Sequence, residues 1–263
     1  MKTSLFIRNV SFGTLALLIS SATIVQGQIV RGPNGHFYQV IAAPAIVWDD
    51  ANAAANGSSL CGKSGHLATI TSNEENDFVN SIRDAFVTAN GGGPQYWVGG
   101  FQTSKDDEPR GNWMWVNGEG SFPGANTGPA FSKWAAGEPN DCGGVEEHLT
   151  LGRFANSPGQ SFDGSLWNDE GCAPGSIAGY IVEYDSDATV IIGGCNSGVP
   201  NIVVDADLCT ISDLIAACAA GAKNHGDFVS CVAAVTNALN KAGLISGSEK
   251  GSIQSCAAKA NIP

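Results

Sequence analysis

Tryptophan and cysteine divide this chain in two. All six tryptophans (48, 97, 113, 115, 134 and 167) precede residue 185, and five of the eight cysteines (195, 209, 218, 231 and 256) follow it. The first part has the large side chains that can close an apolar core. After residue 185 the one aromatic is Phe228, and the segment is rich in Ala, Ser and Cys. A helical unit of that size cannot rest on apolar burial alone, so covalent staples are expected. The composition changes at "DSDATVIIGGCNSGVPN", which predicts a linker over 186–200 between a domain at 28–185 and a cysteine-containing helical module at 201–263.

Residues 1–27 read as a secretory signal: Lys2 and Arg8 precede an apolar run from Val10 to Val25, and small-residue cleavage after Gly27 would leave Gln28 first. The run is short and interrupted by Ser11, Gly13, Thr14, Ser20 and Ser21, unlike a membrane helix. The expected product is a secreted protein without a membrane span. Removing Lys2 and Arg8 leaves 11 basic and 25 acidic residues, a net charge of −14. Such a surface argues against nucleic acid and anionic membranes as partners. It suits cations and uncharged ligands. The other three cysteines are 61, 142 and 172, and no C-x-x-C occurs among the eight. In an exported chain this implies disulfides rather than zinc or thiol chemistry. Three before residue 185 and five after it leave one over on each side, and Cys61–Cys195 would balance the count.

Periodicity gives an α+β order, with two early helices and then runs of strands. "HFYQVIAA" reads as a strand, Trp48–Asn56 as a helix, and "SNEENDFVNSIRDAFVTA" as a second helix. Ser72 and Glu75 are spaced as a capping box, and Phe78, Ile82 and Phe86 form one apolar stripe. "YWVGGFQ", "NWMWVNG" and "GYIVEY" read as strands. The tail reads as three short helices. Thr210/Asp213 and Ser246/Glu249 have capping-box spacing, and Asn224 is placed to cap the middle helix.

The chemistry gathers in "GEPNDCGGVEEH" (137–148), a glycine-bearing loop crowded with oxygen ligands, and in "SLWNDEGC" (165–172). Hard divalent cations take six to eight oxygens from carboxylates, amides and backbone. Glu138, Asn140 and Glu146 from the loop, with Asn168 and Asp169 from the second segment, supply that shell together, and Asp169 can add its carbonyl. Three carboxylates among these five residues suit Ca²⁺, and the lack of histidine or thiolate argues against zinc.

These segments resemble the C-type lectin-like family. "WDDANAAA", "GHLATITSNEEN", "YWVGG", "FSKWAAGEPND", "LWNDEGC" and "GYIVEYD" follow that family's order across 34–185. The resemblance implies a C-type lectin-like fold with two helices, antiparallel sheets and a long loop region, joined here to a small all-α disulfide-stapled module. It implies a cis Glu138–Pro139 bond that turns Glu138 and Asn140 toward one Ca²⁺, with Glu146, Asn168 and Asp169 completing the set. In such lectins vicinal sugar hydroxyls bind the ion and share hydrogen bonds with those same residues. Glu-Pro-Asn goes with mannose, glucose or fucose, through the order of donors and acceptors it presents. The partners implied are glycans or glycoconjugates.

The chain departs from the family at its bridges. Ala55 and Val182 stand where many members carry the long disulfide, and His148 stands at the first position of the short one. Cys142–Cys172 is the expected substitute, tying the two ion-binding segments together. "EHLTLGRFANSPGQSFDGSL" (147–166) is longer than in compact members. Asp141 matches a residue that often serves a second ion, with Asp106, Asp107 and Glu108 of "KDDE" as further candidates. Trp97, Trp113, Trp115 and Trp134 belong to apolar patterns and are expected in the core. His66 and His148 are expected as satisfied histidines rather than ligands. No Ser/His/Asp or Cys/His set is evident, so binding rather than catalysis is expected. A protein–protein adhesion or matrix module keeping Ca²⁺ for loop stability is the alternative, and the helical tail is a candidate for self-association or for docking a protein partner.

Overall fold

The computed structural model describes residues 25–126, 128–152, 164–171 and 174–262. In chain order the elements are β1 (Val25–Gln26), β2 (Val30–Arg31), β3 (Phe37–Ala42), α1 (Trp48–Asn56), β4 (Ser59–Leu60), β5 (Lys63–Ser64), β6 (His66–Leu67), α2 (Asn73–Asn90), β7 (Gln95–Gln102) and β8 (Trp113–Trp115). There follow β9 (His148–Leu151), β10 (Trp167–Glu170), β11 (Ile177–Tyr184), β12 (Thr189–Ile192), β13 (Cys195–Pro200), α3 (Ile211–Gly221), α4 (His225–Lys241) and α5 (Gly247–Lys259). The main sheet runs β1-β3-β11-β7-β9-β10, with β2 on β3, β6 on β11 and β8 on β7. All of its pairings are antiparallel except β11 with β7. Most of the expected signal segment lies outside the described residues. Its last three residues join the sheet edge: Val25 and Gln26 pair with Ala42 and Ile41, and Gly27 N–H donates to Val40 O.

Both faces of the sheet are covered, and the two-residue strand period sends alternate side chains to separate cores. Tyr38 and Val40 of β3, Tyr96 and Val98 of β7 and Ile181 of β11 meet α2 and the rings of Trp113, Trp115, Phe122, Trp134 and Trp167. Phe37 and Ile41, Trp97, and Tyr180, Val182 and Tyr184 face the other way, onto Trp48, Ala51 and Ala55 of α1. The tryptophans expected in the core are all buried. Ala55 and Val182, which stand in place of the long bridge, are both buried in this second core, so packing occupies the position of that covalent link.

Helix α2 begins at Ser72, whose hydroxyl accepts from Glu75 N–H, but the reciprocal half of the expected box does not form. The Glu75 carboxylate turns to Thr71 N–H and Oγ1 and to the Tyr38 hydroxyl, 2.6 Å away. The buried stripe is also offset from the expected one. Val79, Arg83 and Phe86 are buried while Phe78 and Ile82 sit half-buried beside them. Arg83 is enclosed because its guanidinium finds oxygens at Pro94, Asn80 and Asp84, which removes the penalty for an unpaired buried charge.

The segment expected as a linker holds the β12–β13 hairpin, and Val190, Ile192 and Val199 lie in one core with Ile211, Phe228, Val232, Leu239 and Ile253 of the three helices. At about 1.5–3 kcal/mol for each fully buried aliphatic side chain, that burial fastens the hairpin to the helices. The capping boxes at Thr210/Asp213 and Ser246/Glu249 both close, and Asn224 caps α4. Two staples lie inside the module, Cys195–Cys256 and Cys218–Cys231. One crosses to the first domain, as the cysteine count requires, but it joins Cys61 to Cys209 rather than to Cys195. Counting cannot choose among the tail cysteines. Packing does, by setting Cys195 on the hairpin beside α5. Next to the crossing bridge, Lys63 Nζ meets Asp213 Oδ1 at 2.8 Å, and Val203 and Leu208 pack against the α1-side core.

The Cys61–Cys209 bridge closes a span of 148 residues, and by constraining the unfolded chain such a bridge typically adds a net stability of about 2–4 kcal/mol. Replacing both cysteines by alanine should lower stability by about that amount, read from the urea midpoint of the oxidised protein. An unchanged midpoint would show that the surrounding contacts hold the module unaided.

A second expectation concerns pH. Burial alone would lower the pKa of His66, but its contact with Asp185 Oδ1 (3.1 Å), the charge of Glu183 and its bond to Leu67 O raise it to about 9. His36 is raised in the same neighbourhood; burial opposes the shift, while its 2.6 Å contact with Glu183 and the charges of Asp185 and Glu75 drive it. A folded-state value above the ordinary 6.5 means the contribution is complete below about pH 6.5 and is lost as pH rises through about 9. The melting temperature should therefore fall between pH 6.5 and 9.5, and His66→Gln should flatten that fall. Parallel curves for the two proteins would exclude His66 as the source.

Candidate functional site

Strands β9 and β10 carry the site. They pair with Trp167 opposite Leu151, Asn168 opposite Thr150, Asp169 opposite Leu149 and Glu170 opposite His148. Trp167 is the anchor. Its indole N–H donates to Asn76 Oδ1 at 2.8 Å, and Trp115, Phe122, Phe131 and Trp134 meet its ring edge to face. Its backbone N–H bonds to Lys133 O at 2.8 Å, and its carbonyl accepts from Ala135 N–H at 2.9 Å. The start of the oxygen-rich loop is thereby paired to the strand that carries the second motif.

From that root the loop folds onto Asp169. The Asp169 carboxylate is fully buried and accepts from Asn140 N–H at 2.9 Å and from Asp141 N–H at 2.8 Å. The Glu138–Pro139 bond is cis, and the Asn140 side-chain amide donates to the Glu138 carboxylate. Further along, Cys142 N–H donates to Glu146 Oε2 at 2.8 Å and Glu146 N–H to Asp141 Oδ1 at 3.2 Å. Asp141 holds φ +49°, a left-handed conformation that aspartate tolerates better than most residues. Gly171 is required by close approach: a Cβ there would lie 1.9 Å from Val145 O. The backbone of the loop thus rests directly on the end of β10.

Four of the five expected ligands fall on this one arrangement in two linked groups, and the fifth, Asn168, is placed on β10 by its strand pairing with Thr150. Glu138, Asn140 and Asp169 touch through the bonds just described, while Glu146 is held on the Asp141–Cys142 side. Glu138, Glu146, Asn168 and Asp169 are buried and Asn140 is exposed. Burial pushes the Asp169 carboxyl up to about 6, with the charge of Glu138 adding to the rise and the Asn140 and Asp141 amides opposing it. Among the described residues, the histidine and acid ligand atoms that converge to within 4.8 Å of one another in a threesome belong to His36, Glu75 and Glu183, not to Glu138, Glu146 and Asp169. That other cluster is a hydrogen-bonded core network at the start of α2, shared with Tyr38, Thr69 and Thr71.

Of the four candidates for a second ion, Glu108 and Asp141 lie side by side. The Asp141 carboxylate and burial push Glu108 up, and contact with Glu108 holds Asp141 down. The backbone carbonyls of Asp106 and Asp107 brace the turn, accepting from the Asn112 side chain and from Arg110 and Gly111 N–H, and the Asp106 carboxylate accepts from the Ser104 hydroxyl at 3.4 Å. Sequence reasoning missed Lys105 and Glu147, which pair with each other at the same place. The signal was the charge order of "SKDDE", where a lysine adjoins the acids. Cys172, expected opposite Cys142, and residues 153–163 of the long insertion lie outside the described residues. His148 is half-buried and stacks on Trp48 with ring centroids 4.3 Å apart, and its pKa is lowered by burial. His66 is satisfied by Leu67 O and Asp185, as expected. Among the described residues no helix is long and apolar enough to cross a membrane.

Known proteins were compared with the chain. Halomucin of Haloquadratum walsbyi is 28% identical over 160 residues, covering 59% of this chain and 2% of Halomucin. A protein named Lectin from Pleurodeles waltl is 34% identical over 107 residues, which is 41% of this chain and 49% of that protein. The chain thus spans half or less of these relatives. Among solved structures, C-type lectin CEL-I from Cucumaria echinata aligns with a TM-score of 0.41 and 17% identity, over 57% of this chain and 90% of CEL-I. The family model of the Lectin C-type domain matches residues 48–174, a span that contains α1, the Trp167 anchor, the oxygen-rich loop and β10. Over residues 48–174, just under half of its length, the chain is similar to the C-type lectin domain family.

Proposed function

We propose that this is a secreted, Ca²⁺-dependent carbohydrate-binding protein. The observation that carries the reading is the burial of three carboxylates, Glu138, Glu146 and Asp169, where the oxygen-rich loop meets β10, with the Asn140 amide beside Glu138 and Asn168 buried next to Asp169 in the strand. Carboxylates crowded out of water need compensating positive charge. The donors are all hard oxygens, with a formal charge of −3 from the three acids, which suits Ca²⁺ better than a softer metal. The named relative from Pleurodeles waltl supports the lectin reading. The three disulfides among the described residues support an oxidising, extracytoplasmic location.

In this reading Glu138, Asn140, Glu146, Asn168 and Asp169 hold the ion, which supplies open coordination positions to a ligand's paired hydroxyls. The chain's own part is orientation. Asp169 fixes the backbone of Asn140 and Asp141, and this sets the exposed Asn140 side chain beside Glu138. Carboxylate oxygens then accept from sugar hydroxyls while the Asn140 amide donates, an order that favours mannose, glucose or fucose diols. One sugar buries little surface, so single-site affinity is weak and several copies are needed for tight capture of a glycoconjugate.

Calcium titration with mannose competition on a glycan array tests this. Glu146→Ala should weaken Ca²⁺ by about tenfold or more, since loss of a ligand should cost at least what loss of an outer support does. Asn140→Asp should change sugar preference more than the urea midpoint. Calcium-induced stabilisation without any sugar response would favour an adhesion or matrix module instead. Unchanged Ca²⁺ affinity in Glu146→Ala would remove that residue from the site.

A further inference from the structure

The outer end of the oxygen-rich loop carries its own cation. Lys105, in the loop that follows β7, reaches across to residues 144–147. Its ammonium pairs with the Glu147 carboxylate and donates to Gly144 O at 2.8 Å. Glu108 lies in the same loop as Lys105, with its carboxylate beside that of Asp141. Glu108 Oε1 is buried and has no hydrogen-bond donor among the described residues. Three acids from two loops therefore act on a single ammonium: Glu147 in direct contact, and Glu108 and Asp141 through their charge at longer range. Asp141 follows Asn140 and accepts from Glu146 N–H at 3.2 Å, and Glu147 follows Glu146, so the cluster shares its backbone with the proposed Ca²⁺ ligands.

We propose that Lys105 is a positioning residue whose ammonium serves as the built-in counter-charge of Glu108, Asp141 and Glu147, in place of a second metal ion. The inference rests on the Ca²⁺ reading of the neighbouring five residues. An ammonium and a hard dication compete for the same carboxylate oxygens, and a doubly charged ion set beside a fixed positive charge is repelled. A tethered lysine also needs no free ion to hold the loop. Gly144 and Glu147 are fastened at both ends of the turn that presents Glu146, so this segment keeps its shape when calcium is withdrawn. Lys105 is exposed, so its grip is modest and sensitive to salt.

The test uses the full chain as wild type, Lys105→Met and Lys105→Arg. Isothermal titration with CaCl₂ should give one ion in wild type, two in Lys105→Met, where three acids lose their counter-charge, and one in Lys105→Arg. Amide hydrogen exchange in the calcium-free protein should be about two- to fivefold faster at residues 144–147 in Lys105→Met, with protection recovered in Lys105→Arg. Two ions in wild type, or one in Lys105→Met, would overturn the replacement of a metal by the lysine while leaving the calcium reading intact. A wild type that takes up no Ca²⁺ would end the calcium reading and the replacement together. The exchange measurement would then decide the positioning role alone, with unchanged rates in Lys105→Met refuting it.

Discussion

The placement of the candidate site depends on Trp167. Its indole is hydrogen-bonded to Asn76 of α2, its ring lies among four other aromatics, and its backbone pairs with the segment that leads into the oxygen-rich loop. The next three residues of the strand, Asn168, Asp169 and Glu170, follow with alternating orientation along β10. An irregular loop cannot hold its own geometry, and here it borrows that of a strand locked at one residue to a helix and a core. Asp169 extends the lock by accepting from two successive backbone amides of the loop.

The sheet behind the site is occupied on both faces, so its strands read as almost continuous apolar runs rather than as alternating ones; all eight residues of β11 are buried. The two cores are nevertheless distinct. One contains α2 and the tryptophan cluster that supports Trp167, and the other contains α1 and the contacts with Val203 and Leu208 of the tail. The helical module consequently docks on the side of the sheet away from the tryptophan cluster. Its grip there combines a disulfide, a Lys63–Asp213 ion pair and apolar contacts.

What was legible in the residues was local. Helix α1 runs from Trp48 to Asn56 as read, and the caps at Thr210, Asn224 and Ser246 form because each needs only side chains within three positions. The pairing of "GEPND" with "WNDE" was legible as a motif spanning two segments, and the structure brings those segments into contact. Features decided by tertiary surroundings were not. Glu75 leaves its cap because Tyr38 and Thr71 offer better partners, Arg83 is buried because three oxygens await it, and the hairpin at 189–200 is recognisable only from the helical core that its valines and isoleucine complete. Lys105 was passed over because a lysine beside acids in sequence is ordinarily a solvated turn; its contact with Glu147 arises from the fold.

The link between Cys61 and Cys209 encloses all the strands and loops from β5 to β13 within one covalent ring. A protease that nicks any exposed turn inside that ring leaves both fragments attached, and the particle keeps its mass until a reductant opens the bond. The loops that carry the candidate site can therefore suffer a backbone cut without the molecule coming apart.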